Sequence, residues 1–330
     1  MSSWILVTGG AGYIGSHVVK QLLKRGQKVV VLDNLSTGFR ESALTADFIE
    51  GNVGDIKLVS EILKKYSIQE VMHFAASTIV PESVSNPLKY YQNNTCCTRN
   101  LLEACQTAGI KSFVFSSTAA VYGTPKDAYC DEETQLAPIN PYGASKMMSE
   151  QMLRDLSFAS GMQHVILRYF NVAGCDPEGE IGQSTRKATL LTKVAVEAAV
   201  GKRDKISIFG TDYETPDGTG VRDYIHVEDL ASAHLKALDY LRNQGKSVTL
   251  NCGYGHGYSV RDVLNAVQKA ANLKLNIIEE DRRAGDPAIL VARSDRARTI
   301  LNWTPQYDNL DTIVETSLAW ERKLLARDSQ

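Results

Sequence analysis

Short apolar runs recur through the first half of the chain, and stretches with helical spacing lie between them. The runs cover residues 5–7, 28–32, 47–49, 71–74, 113–115 and 165–167, and the helical stretches cover residues 17–24, 58–66, 88–108 and 142–159. Strands that are apolar throughout are typical of a parallel sheet covered by helices on both faces. The pattern therefore predicts an α/β fold with a Rossmann-type, doubly wound parallel sheet.

This alternation weakens after about Cys175. Residues 206–209 and 248–251 are predicted to form short strands, and residues 228–241, 260–271 and 310–325 to form helices. We interpret residues 1–174 as one Rossmann domain and residues 175–330 as mainly a smaller α/β lobe, with segments near 222–241 returning to the first domain. A small-molecule site is expected in the cleft between the two.

The first apolar run leads directly into a glycine-rich segment. Gly10, Gly12 and Gly15 satisfy the pattern G-x-G-x-x-G between a predicted strand and a predicted helix, and Asp33 ends the next strand. Without side chains, the backbone can turn tightly and approach a pyrophosphate at the helix N-terminus. A carboxylate at Asp33 would accept a hydrogen bond from the adenosine ribose and repel a 2′-phosphate. The arrangement predicts binding of NAD in preference to NADP.

A tyrosine and a lysine lie one helical turn apart in the second half of the predicted Rossmann domain. Tyr142 and Lys146 share a helix face, and a nearby ammonium lowers the pKa of a phenol, which is a route to a general base. Asn140 is placed to cap this helix and Pro141 to start it. A second Tyr–Lys pair with the same spacing, at 122–126, spans a proline that would break a helix. The first pair is therefore the candidate for proton transfer.

Two sets of polar residues follow predicted strands. Asn52 and Asp55 come after the third strand, and residues 116–118, Ser-Ser-Thr, come after the fifth. At the carboxyl edge of a parallel sheet such groups can contact a ligand, and a hydroxyl of the second set could bind a substrate oxygen that Tyr142 also reaches. The alternative for both sets is ordinary turn and loop chemistry.

Composition and charge narrow the class of protein. The chain has 330 residues, 43% of them hydrophobic and 22% charged, with a net charge of −2, so it can bury a large core and gives no support for binding nucleic acid. Its six cysteines lack C-x-x-C spacing, which favours separate thiols in a reducing compartment and no metal site. Neither a signal peptide nor an apolar run of transmembrane length is evident. We expect a cytoplasmic protein without a membrane partner.

Several motifs occur in one order along nearly the whole chain. They are the glycine loop at 8–15, Val31-Leu32-Asp33-Asn34, His73-Phe74-Ala75-Ala76, Phe115-Ser116-Ser117-Thr118, Tyr142-x-x-x-Lys146, Arg168-Tyr169-Phe170-Asn171, Gly220-Val221-Arg222-Asp223-Tyr224 and Arg282-Arg283-Ala284-Gly285-Asp286-Pro287. Together they resemble the UDP-glucose 4-epimerases, a family within the extended short-chain dehydrogenase/reductases. The resemblance implies an isomerase with tightly bound NAD that interconverts UDP-glucose and UDP-galactose through a transient 4-keto-sugar, with some activity on the corresponding N-acetylated sugars.

The resemblance also implies roles for individual residues. Tyr142, Lys146 and Thr118 would be catalytic. NAD would contact Gly9, Gly12, Tyr13, Ile14, Gly15, Asp33, Asn34, Asn52, Val53, Phe74, Ala75, Ala76, Asn94, Ser116, Tyr142, Lys146 and Tyr169. The UDP-sugar would contact Thr118, Tyr142, Asn171, Phe209, Arg222, Arg283, Asp286 and Leu290 in the second lobe and at its border. Helices around 88–108 and 142–159 would form a homodimer.

Some positions depart from the family pattern or leave alternatives open. Ala119 and Ala120 stand where sugar dehydratases of this fold carry an acid/base pair, which makes dehydration an unlikely reaction. The segment 183–192 differs from its usual form, so no ligand role is assigned to it. Leu290 either borders the sugar or belongs to the core. An epimerase of another UDP-sugar, a uronic acid or a pentose, and a non-catalytic sensor of NAD or a nucleotide sugar remain as alternatives.

Overall fold

The structure is a computed structural model that describes residues 4–185, 188–283 and 285–328. Arg186 and Lys187 of the divergent segment and Ala284 of the last motif lie outside the described residues. In chain order the strands are β1 (Trp4–Thr8), β2 (Lys28–Asp33), β3 (Asp47–Glu50), β4 (Glu70–His73), β5 (Ser112–Thr118), β6 (Tyr129–Cys130), β7 (Gln163–Tyr169), β8 (Asn171–Ala173), β9 (Ile206–Phe209), β10 (Val221–Arg222), β11 (Tyr224–His226), β12 (Val248–Cys252), β13 (Tyr258–Ser259), β14 (Ile277–Glu280) and β15 (Ile289–Ala292).

The seven predicted helical stretches are helical in the structure, and three further helices, at Val80–Ser85, Leu191–Ala199 and Asp295–Ile300, were not predicted. The α-helices are α1 (Tyr13–Lys24), α2 (Ile56–Lys65), α3 (Val80–Ser85), α4 (Pro87–Tyr90), α5 (Cys97–Ala108), α6 (Pro141–Ser160), α7 (Leu191–Ala199), α8 (Val227–Arg242), α9 (Val260–Ala271), α10 (Asp295–Ile300) and α11 (Leu310–Asp328). The stretch predicted as one helix at 88–108 is a continuous helical run in which the π-helical turn Tyr91–Cys96 joins α4 to α5. Among the described residues, no helix is long and apolar enough to cross a bilayer.

A seven-stranded parallel sheet forms the centre of the first domain. Its strand order is β12-β7-β5-β4-β1-β2-β3, and each adjacent pair is parallel. Ile5 and Val7 of β1 pack on one face with α1 and α8, while Leu6 packs on the other face with α5 and α6. Because successive side chains of a strand point to opposite faces, burial on both sides requires the unbroken apolar runs seen in the sequence. The predicted doubly wound fold is confirmed.

Residues 248–251 were expected to belong to the second lobe, and this expectation is wrong. Val248–Cys252 forms β12, which pairs with β7 at the edge of the seven-stranded sheet. The local apolar pattern predicts a strand but carries no information about its partner, and β7 offers an unpaired edge that β12 covers. Helix α8, which precedes it, packs on the same sheet against α1, so this part of the chain lies with the first domain.

The second lobe has its own core and smaller sheets. Helices α7, α9 and α11 enclose β9 and β14 around a cluster that includes Ile206, Ile208, Val267 and Leu318. A four-stranded sheet has the strand order β13-β10-β15-β6, and β11 pairs with β8. Strand β6 comes from the first part of the sequence, so the chain passes between the two units more than once. The division at residue 174 stays a prediction.

The hydroxyl residues at the end of β5 are part of the strand. Ser116, Ser117 and Thr118 pair with Leu167, Arg168 and Tyr169 of β7, and all three are buried. The alternative interpretation of residues 116–118 as ordinary loop chemistry is therefore wrong. These polar residues continue the strand because their hydroxyls find partners inside the protein, as described below.

Candidate active site

The glycine loop between β1 and α1 approaches the end of β4 closely. Gly9 has φ +71°, and a Cβ there would lie 2.5 Å from the backbone nitrogen of Ala75. A Cβ at Gly15 would meet the Gly9 carbonyl oxygen, so the loop folds onto the first turn of α1. At Gly12 a Cβ would meet only that carbonyl oxygen, at 3.2 Å, among the described residues. Glycine at positions 9 and 15 allows the close backbone contacts of the turn. At position 12 it leaves the backbone surface uncovered.

The N-terminus of α1 opens towards this loop. No side chain of the described residues caps it, and the amide groups of Tyr13, Ile14 and Gly15 belong to the first turn, which has no intrahelical acceptor. The Tyr13 hydroxyl donates to the Gly174 carbonyl at 2.5 Å, so its side chain ties α1 to the segment after β8. Only the backbone of Tyr13 and Ile14 is therefore available to an anion, and such helix ends favour phosphate groups.

The carboxylate of Asp33 lies between the loop and the end of β2. It accepts hydrogen bonds from the Ala11 amide at 3.0 Å and the Leu35 amide at 2.8 Å. Burial raises the pKa of Asp33, and these two bonds oppose the rise. A carboxylate fixed by two amides retains lone pairs that can accept from ribose hydroxyls. The geometry matches the position predicted for a carboxylate that selects NAD.

Residues next to Asp33 form the rim of the same site. Asn34 and Asn52 are exposed, and each side chain accepts from an amide two residues on, from Ser36 at 3.1 Å and Gly54 at 2.7 Å. Val53 is buried beside Asn52. The Asn52 segment is thus a tight turn at the sheet edge, and its amide nitrogen stays available for a ligand.

The segment after β4 closes the site on the side of the glycine loop. Phe74, Ala75 and Ala76 are half-buried there. Asn94 is buried, accepts from the Ser77 amide at 2.8 Å, and donates to the Ser77 carbonyl at 2.9 Å and the Ser145 hydroxyl at 3.0 Å. The Asn94 side-chain amide therefore links the segment after β4 to helix α6.

Tyr142 stands in the first turn of α6. The helix begins at Pro141, and the Asn140 side chain caps it by accepting from the Gly143 amide at 2.9 Å, as predicted. Tyr142 is buried, and burial raises its pKa, while the Thr118 hydroxyl acts to lower it. The expectation that the Tyr142 pKa is lowered is therefore wrong. Desolvation of the phenolate outweighs the hydrogen bond.

Lys146 lies one turn further along α6 and is also buried. Its Nζ donates to the Ser116 carbonyl at 2.8 Å, and burial lowers its pKa to about 8, with the Glu150 carboxylate opposing the shift. His73 on β4 faces the same ammonium, and burial together with that charge lowers the His73 pKa to about 3. The site therefore contains one titratable cation beside a neutral imidazole and a neutral phenol.

Hydroxyl groups at the ends of β5 and β7 complete this side of the site. Thr118 accepts from the Ala120 amide at 3.1 Å, and its hydroxyl lies beside Tyr142. Ser116 and Tyr169 share a hydrogen bond of 2.8 Å between their hydroxyls. The structure thus brings Thr118, Tyr142, Lys146, Ser116 and Tyr169 together at the carboxyl edge of the sheet, where open α/β sheets bind ligands.

The residues predicted to hold the nucleotide lie on the second lobe and its border. Arg222 on β10 donates from Nη2 to Asp286 at 2.6 Å, and the Arg283 guanidinium lies 3.8 Å from the centre of the Phe209 ring. Phe209 and Arg283 help to line a cavity of about 560 Å³. Asn171 begins β8, and its amide donates to the Asp223 carbonyl at 2.9 Å. An aromatic ring and two arginines here suit a base and a diphosphate.

Leu290 lies between the two groups of residues. It is directly opposite Arg222 in the pairing of β10 with β15. Its half-buried side chain packs against a small cluster that contains Ala119 and Phe170, the residues that follow Thr118 and Tyr169. This packing agrees with the interpretation of Leu290 as a core residue, and its contact with the sugar stays a prediction.

Comparison with known proteins identifies the family. Residues 5–253 match the model of the NAD dependent epimerase/dehydratase family. The chain belongs to this family. This confirms the predicted Rossmann fold and NAD as the cofactor.

Individual epimerases resemble the chain over nearly its full length. It is 53% identical to a UDP-glucose 4-epimerase of Azospirillum brasilense, over 97% of this chain and 92% of that protein. A crystal structure of the Brucella ovis UDP-glucose 4-epimerase in complex with NAD has 42% identity and a TM-score of 0.94, with 96% of this chain and 98% of that chain covered. The structure of the Campylobacter jejuni UDP-Glc/GlcNAc 4-epimerase has 48% identity and a TM-score of 0.86, with 98% and 100% covered.

Two buried side chains near the site were not predicted from the sequence. Tyr213 is buried beneath the Arg282 guanidinium, which lies 4.2 Å from its ring centre, and its hydroxyl has no hydrogen-bond partner among the described residues. Glu150 is fully buried one turn beyond Lys146. The sequence contains a signal only for Glu150, since a carboxylate four residues after a helical lysine shares its face.

Proposed function

We propose that the protein is a UDP-glucose 4-epimerase, an isomerase that interconverts UDP-glucose and UDP-galactose with NAD as a tightly bound cofactor. The observation that carries the proposal is the convergence of Tyr142, Thr118 and Lys146 at the sheet edge beside the glycine loop. Its relatives named as UDP-glucose 4-epimerases, matched over nearly the whole chain, support it. The 4-position of the sugar is the reacting centre.

Tyr142 is the proposed acid and base. As a phenolate it removes the proton of the sugar 4-hydroxyl, and it returns that proton once the 4-keto-sugar has been reduced. Thr118 shares a hydrogen bond with the same oxygen and lies beside Tyr142. Burial raises the pKa of Tyr142, so positive charge close to the phenol is needed for it to lose its proton. The Lys146 ammonium, one turn along α6, and NAD⁺ when bound would supply that charge.

The chain's own residues hold NAD and orient it. When bound, NAD accepts a hydride from the sugar C4 and returns it to the opposite face, chemistry that no side chain can supply. The amides at the start of α1 would hold the pyrophosphate, Asp33 would accept from the adenosine ribose, and Lys146 would donate to the nicotinamide ribose. Gly12 supports this placement, because a Cβ there would meet only the Gly9 carbonyl oxygen, at 3.2 Å, among the described residues, which leaves backbone surface for a pyrophosphate.

Arg222 and Arg283 anchor the nucleotide while the sugar turns. The Arg222–Asp286 pair is only partly buried, with 14% and 39% of the two side chains exposed, so a diphosphate can compete for the guanidinium. Arg283 and Phe209 stack at the base pocket. Holding the UDP part at a distance from Tyr142 leaves the sugar free to present either face to the same hydroxyl pair.

The size of the Leu290 side chain would determine how much space is available beside the sugar. Its side chain is smaller than tyrosine and packs next to Ala119 and Phe170. We infer UDP-glucose and UDP-galactose as the main pair, with additional activity on UDP-GlcNAc and UDP-GalNAc. One relative of known structure is named as a UDP-Glc/GlcNAc 4-epimerase, which favours this second activity.

The test is a Tyr142→Phe variant that retains its NAD. We expect kcat to fall by about 100- to 10,000-fold, because general acid–base catalysis is worth that much. Tyr66→Phe is the matched control, since Tyr66 packs on Trp4 at the opposite end of the sheet. A Tyr142→Phe protein with bound NAD and a normal rate of epimerisation would refute the assignment.

The sugar is identified by incubating the protein without added NAD. UDP-galactose, UDP-GalNAc, a UDP-uronic acid and a UDP-pentose are supplied separately, and the products are separated. Turnover of the first two supports the proposal. Turnover of only the uronic acid or the pentose would replace it by an epimerase for that sugar. Normal NAD binding with no turnover of any UDP-sugar would favour a sensor.

We also propose that the protein acts as a homodimer in the cytoplasm. Leu88 and Phe158, on the helices predicted to pair, are 76% and 96% exposed, and Met148 on α6 is 42% exposed. Large apolar side chains in that arrangement suit burial against a second copy. All six cysteines are unpaired, as in a reducing compartment. A Phe158→Glu variant should sediment as a monomer, whereas an unchanged mass would count against this interface.

A further inference from the structure

A buried carboxylate lies directly behind the lysine of the site. Glu150 follows Lys146 by one turn of α6 and is fully buried. Its Oε1 accepts from the Ser117 hydroxyl at 2.6 Å, and Arg168 donates to both of its oxygens, at 3.0 Å and 2.6 Å. Ser117 lies on β5 and Arg168 on β7, so one side chain fastens the helix to two adjacent strands.

These contacts adjoin the atoms that hold Lys146. Ser117 follows Ser116, whose carbonyl accepts the Lys146 ammonium at 2.8 Å. The lysine and the glutamate therefore bind consecutive residues of β5 from consecutive turns of α6. A shift of the helix along the strand would change both contacts together, so the carboxylate fixes where the ammonium lies.

The arginine extends the network towards the second lobe. Arg168 donates to the Tyr122 hydroxyl at 3.1 Å, which donates to Asn251 at 2.7 Å. Asn251 in turn donates to the Cys130 carbonyl of β6 at 2.9 Å. Strand β6 pairs with β15, which carries Leu290. The network is satisfied throughout by these partners, which makes it rigid.

We propose that Glu150 is a positioning residue for the reaction: through Ser117 and Arg168 it fixes the turn of α6 that carries Lys146, and its charge keeps the ammonium beside Tyr142. This inference rests on the proposed epimerase function, in which Lys146 must carry a positive charge. Nothing in the geometry brings Glu150 itself to the substrate, because it is enclosed by α6, β5 and β7.

Charges on every neighbouring element act on this pair. Lys146 is faced by Tyr142 and Glu150 on α6 and by His73 on β4, and Glu150 is faced by Arg154 on α6 and by Arg168 and His164 on β7. Burial lowers the pKa values of His73 and His164 to about 3 and about 4, so both are neutral at working pH. Burial raises the pKa of Glu150, but Arg168 and Ser117 outweigh it and keep the carboxylate ionised.

Removing the charge of Glu150 should therefore change the pH dependence of the enzyme. Burial lowers the Lys146 pKa to about 8, and the carboxylate opposes that shift. In Glu150→Gln the pKa falls further, so the alkaline limb of kcat against pH should move down by on the order of one pH unit. Glu150→Asp keeps the charge and shortens the side chain, so kcat should fall while the limb returns to its wild-type position.

The control is a second glutamate–arginine pair, in which the glutamate is buried but 32% of the arginine side chain is exposed. Glu70 at the start of β4 accepts from Arg242 Nε and Nη2, both at 2.7 Å, at the end of the sheet away from Tyr142. Glu70→Gln should lower the unfolding temperature, because the pair loses its charge-assisted hydrogen bonds. The Glu70→Gln variant should not shift the alkaline limb of kcat against pH. A general loss of stability is thereby separated from an effect on Lys146.

The experiment measures kcat against pH for the NAD-loaded wild type and these variants, and follows the Lys146 ammonium by nitrogen NMR. The inference would be overturned if folded Glu150→Gln kept the wild-type alkaline limb of kcat against pH. It would also be overturned if Glu70→Gln shifted that limb by the same amount as Glu150→Gln. If Glu150→Gln does not fold, Ser117→Ala removes one of the two anchors of the Glu150 carboxylate and leaves both charges in place. A wild-type kcat and alkaline limb in folded Ser117→Ala would then overturn the inference. A wild type without epimerase activity would refute the proposed function, and the NMR titration would still test Glu150.

Discussion

Replacement of Gly9 by alanine tests why the loop after β1 needs glycine. Gly9 has φ +71° and Gly26, after α1, has φ +67°, so an alanine at either position adopts a left-handed conformation that is unfavourable by about 1–2 kcal/mol. At Gly26 a Cβ would meet nothing within 4 Å among the described residues. The Gly26→Ala variant therefore measures the conformational penalty alone.

At Gly9 the same Cβ would also collide with backbone atoms. It would lie 2.5 Å from the Ala75 nitrogen and 2.8 Å from both the Ala75 Cα and the Phe74 carbonyl carbon. Backbone cannot rotate aside as a flexible side chain does, so the segment after β4 must shift, and overpacking of this kind costs about 1–3 kcal/mol. We expect Gly9→Ala to lose about 2–5 kcal/mol in total, against about 1–2 kcal/mol for Gly26→Ala.

The assay is equilibrium unfolding in urea, with the NAD bound per chain measured in each purified sample. Phe74 and Ala75 are proposed to border the cofactor, so Gly9→Ala should also retain less NAD, whereas Gly26→Ala should retain as much as the wild type. Equal losses of stability in the two variants, with equal NAD content, would refute the claim that the loop needs glycine because of its contact with Ala75.

Three further predictions concern the chemistry. Epimerase activity should fall as the pH rises through about 8. Burial lowers the Lys146 pKa to about 8, so the ammonium loses its proton above that pH. A kcat that stays constant well above pH 8 would contradict this prediction. Asp33→Ser should raise the affinity for NADP relative to NAD by on the order of tenfold, measured by equilibrium binding. Leu290→Ala should raise kcat/KM for UDP-GalNAc relative to UDP-galactose, and Leu290→Tyr should lower it, each by about tenfold.

The sequence predicts those elements whose environment is encoded locally. The apolar run at 5–7 needs burial on both faces, and the parallel sheet provides it. Asn140 and Pro141 mark the start of α6 because capping and the fixed φ of proline depend only on neighbours along the chain. The glycine loop was identifiable for the same reason, since its spacing reflects a turn between a strand and a helix.

Properties that depend on distant contacts could not be predicted in this way. The partner of β12 is fixed by an unpaired edge more than seventy residues earlier in the chain, about which its own apolar pattern says nothing. The pKa of Tyr142 was expected to be lowered by Lys146, yet the enclosure of the phenol by other elements raises it. The bonds of Glu150 to Ser117 and Arg168 likewise exist only once two strands are in place.

Strand β12 is synthesised after the other six strands of the main sheet, and this has a consequence for folding during synthesis. A nascent chain that has reached residue 174 contains six of the seven strands, but the outer edge of β7 still presents unpaired amide and carbonyl groups. The Tyr122 hydroxyl still lacks its acceptor on Asn251. The catalytic half therefore completes its sheet only after most of the chain has left the ribosome, and a fragment ending at residue 174 should aggregate through the open edge of β7.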